Sequence, residues 1–139
     1  MSKRDSALYL LDILIAYNKI LRYTKDFTNA DDFLHSELEW DATIRELEII
    51  GEATNNLLKE NIIEDQYRRI VDFRNQIAHG YFGIDAEIVL DVIQNKLNIF
   101  TDELKNINID LTNAIEKSKH EHKHNQHILK LLNSLEERE

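Results

Sequence analysis

Cysteine and proline are absent from the 139 residues, and glycine occurs only at Gly51, Gly80 and Gly83. Without cysteine there is no disulfide and no thiolate metal site, and a reducing cytoplasm is the expected compartment. Without proline, and with so little glycine, few positions can end a helix and nothing marks a hairpin, which argues against a β architecture. Positive charge is also scarce. Seventeen Lys and Arg against 26 Asp and Glu give a formal charge of −9, which excludes a broad basic face for duplex DNA. Long apolar runs are missing as well: MSKRDSALYLLDILIAYNKILRY sets basic residues ahead of apolar ones, but Asp12 interrupts it and no small-residue cleavage site follows. It reads as a core helix, not as a leader or a membrane span.

What is present, 42% hydrophobic and 31% charged residues, suits one folded domain with a single core. The expected fold is all-α, an antiparallel four-helix bundle with an additional C-terminal helix. From about Asp5 to Tyr23, Leu8, Leu11 and Ile15 recur beside Leu10, Leu14, Tyr17 and Leu21, a helix apolar over much of its circumference and therefore central. Thr28 and Asp31 resemble a capping box opening a short helix. A longer helix from about Glu39 to Glu60 carries the stripe Ile44, Leu47, Gly51, Thr54 and Leu58. Gly51 at its middle costs roughly 1 kcal/mol in helix propensity relative to alanine, which close backbone packing would offset. A third helix spans about Glu64 to Ala78, and Asp85 caps a fourth through Leu90, Ile93, Leu97, Phe100 and Leu104. Residues 1–108 form the expected bundle domain. Residues 109–139 read as a helical extension whose apolar patch, Ile128, Leu131, Leu132 and Leu135, packs on a partner or frays.

The one dense basic cluster outside the tail, Arg68, Arg69 and Arg74, leads into RNQIAHGYFGID, Arg74 to Asp85. Histidine can take or give a proton near neutral pH, and the arginine fork matches phosphate oxygens. Arg74 and His79 therefore suit attack by a ribose 2′-hydroxyl on the adjacent phosphate, with no metal required. Asn75 can orient His79 or bind the RNA backbone, and Tyr81 can stack on a base. Asn75 and His79 share a helix face, whereas Arg74 and His79 diverge by about 140°. Their convergence needs a reaching arginine, a helix that ends near Gly80, or a second chain across a two-fold axis. Taken by spacing alone, an arginine and a histidine here also fit a simpler role, capping the helix and complementing its dipole.

Arg74, four residues, His79, one residue and Tyr81 resembles the RX4HXY motif of the HEPN superfamily, in particular the HepT-like ribonuclease toxins. IRELEIIGEATNNL, Ile44 to Leu57, resembles the glycine-glutamate-alanine region of that family, and YFGIDAEIVLDVIQNKL, Tyr81 to Leu97, the stretch after its motif. The likeness spans roughly residues 4 to 105. It implies a homodimer with both motifs facing one cleft, acting on RNA (transfer or messenger) as a metal-independent endoribonuclease with no cofactor. It also implies a toxin-antitoxin pair in which an MntA-like nucleotidyltransferase antitoxin moves AMP from ATP onto Tyr81. In that reading Arg74 and His79 are catalytic, and Asn75 and Arg69 support RNA binding. Neither DNA nor a membrane is an expected partner. The rival reading is a non-catalytic helical adaptor for a protein partner.

Three other features have plain readings. His120, His122, His124 and His127 lack a carboxylate or cysteine framework and fit a solvated polar helix better than a metal site. Glu52 fits a surface or interhelix ion pair better than a carboxylate supporting an arginine. Trp40 suits packing at a helix start.

Overall fold

The computed structural model describes residues 5–79 and 83–137, without the side chains of residues 78 and 79. Among the described residues there are eight α-helices, one 3-10 turn and no strand. The helices are α1 (Ser6–Thr24), α2 (Ala30–Leu34), α3 (Glu37–Lys59), α4 (Arg68–His79), α5 (Ala86–Asn95), α6 (Leu97–Lys105), α7 (Thr112–Glu121) and α8 (Gln126–Glu137).

Helix α1 is the axis of the molecule. Asp5 caps it, its carboxylate accepting from the Ala7 N–H at 3.0 Å. Leu10, Leu11, Ile13 and Ile20 have no exposed surface, because α3, α6, α7 and α8 all pack against this helix. A helix apolar on most sides needs neighbours on most sides, and this one has them. Helix α3 joins α1 to α4. It ends at Glu60, after which Asn61 takes a left-handed φ of 58° and the Ile62 N–H reaches back to the Leu57 carbonyl at 3.0 Å. That arrangement satisfies carbonyls the helix would otherwise leave open, and asparagine tolerates it better than most residues.

Four local expectations shift. The cap of α2 is Asn29, not Thr28: Asn29 Oδ1 accepts from the Asp32 N–H and its Nδ2 donates to Asp32 Oδ2, both at 2.9 Å. The amide serves as both acceptor and donor, which a hydroxyl paired with Asp31 would not improve. The third helix opens with a 3-10 turn at Asp65–Tyr67, so its α-helical part starts at Arg68. The stripe from Leu90 to Leu104 is divided at Lys96, where φ −124° and ψ −45° separate α5 from α6. The extension is a pair of short helices, α7 and α8. Ile128 and Leu132 are fully buried and Leu135 nearly so, within the same core cluster as α1. The patch expected to meet a partner or fray is covered by the chain itself.

Trp40 is half-buried and packs edge-on against Phe33 with ring centroids 4.9 Å apart, a packing role. Among the described residues no helix is long and apolar enough to cross a membrane.

Candidate active site

Helices α3 and α4 pack side by side, and their contact places Arg74. The methylene stem of Arg74 lies directly on the backbone of α3 at Gly51. A Cβ built on Gly51 would collide with Arg74 Cβ and Cγ and lie 3.4 Å from its Cδ. The glycine therefore meets the stem of an arginine, where a close approach of helix backbones was the expectation.

With its stem fixed there, Arg74 is half-buried. Its Nη1 donates to Asn75 Oδ1 at 3.2 Å. Its Nε is buried and, among the described residues, has no hydrogen-bond partner. Leaving a buried donor unpaired costs on the order of 1–3 kcal/mol. Asn75 is exposed, and its amide oxygen anchors the guanidinium. Neighbouring residues on a helix do not normally face one another; here the length of the arginine closes the gap.

His79 is the last residue of α4. The side chain of His79, and Tyr81 altogether, lie outside the described residues. On an ideal helix Arg74 and His79 leave the axis about 140° apart. The backbone thus keeps them in different sectors of α4.

The arginines that cluster in sequence disperse on the helix. Arg68 pairs with Asp65 at 3.6 Å on the surface, an interaction of small energetic value. Arg69 is exposed and borders a groove of about 350 Å³ whose walls include Tyr67, Ile70, Lys96, Ile99 and Phe100. It lies about 140° from Arg74 on the ideal helix, so the two do not form one patch. Glu52 is exposed, and among the described residues no ion pair joins it to Arg74. Glu46, also on α3, is buried. Its burial raises its pKa above the ordinary carboxylate value, against the opposing pull of Lys19 and Arg45.

Among the described residues no three histidine, aspartate or glutamate side chains converge as a metal site would need. In the histidine-rich stretch, His122 Nδ1 lies 3.0 Å from the Ser118 carbonyl, and His120, His124 and His127 are exposed.

The residue that sequence reasoning did not connect with the site is Gly51. Its signal was available: a glycine inside a long helix, with no turn to explain it.

Comparison with known proteins bears on this geometry. The family model described as "Ribonuclease HepT-like" matches residues 13–107. A Methanocaldococcus jannaschii protein named "Putative RNase MJ0127" is 35% identical over 121 residues, covering 85% of this chain and 99% of the relative. A Thermococcus cleftensis protein named "Probable ribonuclease HepT" is 33% identical over 98 residues, 68% of this chain and 88% of the relative. No solved structure matches.

Proposed function

Because the chain belongs to the HepT-like ribonuclease family, we propose that it is a metal-independent endoribonuclease whose catalytic pair is Arg74 and His79. The observation that carries this reading is the placement of Arg74: half-buried, tied to Asn75, and five residues ahead of the histidine that closes α4.

In the reaction, His79 takes the proton from a ribose 2′-hydroxyl as the oxygen attacks the neighbouring phosphorus. The bond from phosphorus to the 5′-oxygen breaks, and that oxygen leaves with a proton supplied by a protonated imidazole or by water. The products are a 2′,3′-cyclic phosphate and a 5′-hydroxyl. Negative charge builds on the non-bridging oxygens, where the Arg74 fork stabilises it. Asn75 holds the fork in plane, and Arg69 steadies the RNA backbone farther along α4.

The 140° divergence supports a homodimer, in which one protomer's arginine and its partner's histidine meet across a two-fold axis. A dimer also doubles the few cations near the site, which matters in a chain of charge −9. In the cell the chain acts as a cytoplasmic toxin. A nucleotidyltransferase antitoxin silences it by placing AMP on Tyr81, where added bulk and negative charge exclude an incoming phosphate.

The test is cleavage of transfer and total RNA in EDTA by mass-verified protein without an adduct, wild type against His79→Ala. Wild-type cleavage leaving cyclic phosphate ends, with none from the variant, is the expected result. Equal cleavage by both, or none by unmodified wild type, overturns the assignment.

A further inference from the structure

We infer that Gly51 is a positioning residue for the Arg74 guanidinium: α3 carries glycine there so that the arginine stem can lie on its backbone. The inference rests on the catalytic role proposed above for Arg74, but its structural half stands by itself.

Two features of the α3–α4 contact work against stability and meet at one point. Gly51 is fully inside α3, where alanine would favour the helix. Arg74 brings into the same contact a buried Nε donor with no hydrogen-bond partner among the described residues. An aliphatic residue at 74 facing alanine at 51 would remove both penalties and still join the two helices. Sequences that break local rules twice at one contact do so where function is placed. What the pair achieves is a fixed starting point for the guanidinium. The first side-chain carbons of Arg74 lie too close to Gly51 for any Cβ there, and the far end is tied to Asn75 at 3.2 Å. A long side chain held at both ends presents its remaining Nη donors in one direction.

The collision involves Cβ and Cγ, not the flexible tip, so a methyl group at 51 cannot be absorbed by a turn of the guanidinium. Either α4 moves away from α3 or the arginine leaves its seat. Both displace the donors from the phosphate, and misplacement of a catalytic group by about 1 Å costs around 100-fold in rate.

The experiment compares wild type with Gly51→Ala by two readouts, using the full chain. The first is the Arg74 Nε–H resonance, assigned by its loss in Arg74→Lys. Buried in the wild type, and without a partner among the described residues, it should lie away from the exposed arginines and exchange slowly, and in Gly51→Ala it should join them. The second is RNA cleavage, where kcat should fall roughly 100-fold with KM within about threefold. A folded Gly51→Ala with an unmoved resonance, or with kcat within twofold of wild type, overturns the inference. If the variant does not fold, Gly51→Ala combined with Arg74→Gly removes the colliding carbons and should restore helical content; failure to do so also overturns it. If wild type cleaves no RNA, the proposed function fails, and the resonance alone decides whether Gly51 seats Arg74.

Discussion

Replacing Leu132 by alanine should lower the melting temperature of the whole chain by about 10 °C, although Leu132 lies outside the segment matched by the family model. Leu132 has no exposed surface and shares the α8 core face with Ile128 and Leu135. Alanine removes three carbons, about 2.4 kcal/mol at roughly 0.8 kcal/mol per buried methylene. A partly collapsed cavity brings the total to around 3 kcal/mol. An unfolding entropy of about 2.1 cal/mol/K per residue gives roughly 290 cal/mol/K for the 139 residues, hence the 10 °C. Far-UV circular dichroism during heating measures it. The control is Lys119→Ala, which breaks the 2.7 Å pair with Glu136 on the surface of the same hairpin and should cost less than about 1 kcal/mol. A drop below about 3 °C for Leu132→Ala, with a single sharp transition, would refute the reasoning. It would mean that α7 and α8 dock on α1 without sharing its cooperativity.

The other expectations concern the site and the pH response. Arg74→Ala and His79→Ala should each lower cleavage by about 100-fold or more while leaving the circular dichroism spectrum intact; a variant that cleaves normally removes its residue from the mechanism. Asn75→Ala removes one hydrogen bond to the guanidinium and should lower kcat about fivefold, the equivalent of roughly 1 kcal/mol; steady-state kinetics on a short RNA read it. Glu46→Gln should stabilise the chain near neutral pH. Burial raises the Glu46 pKa, so its contribution is full below the unfolded carboxyl value of about 4.3 and is lost as pH rises through the raised folded value. Denaturant midpoints should therefore coincide for wild type and variant in acid and separate, in favour of glutamine, as pH rises. Midpoints that stay together at every pH would show that Lys19 and Arg45 fully compensate the burial.

The helices were readable in the sequence where side-chain periodicity alone decides them. An apolar surface over most of α1 required neighbours on most sides, and α3, α6, α7 and α8 supply them. The break at Lys96 was not readable. Leu90, Ile93, Leu97, Phe100 and Leu104 keep a three-four spacing straight through it, and lysine is an ordinary helix former. Nor did the patch on α8 say what would cover it, because an apolar stripe carries no address. At the candidate site, the motif singled out Arg74 as an expectation and the glycine was noticed for its helix cost. Linking them needed the α3–α4 register, which joins residues 23 positions apart and is written in neither helix separately.

The seat of Arg74 on Gly51 also sets the phase of α4. A helix held by a carbon wedged against its neighbour's backbone cannot roll about its own axis without collision. The azimuth of every later residue in α4 is then fixed by counting at 100° per residue. His79 closes that helix, so the azimuth of its backbone is determined by a contact five residues earlier, on another side of the cylinder. The glycine acts as a keyway and the arginine stem as its key. Any substitution that lets α4 roll would turn the end of that helix without touching it.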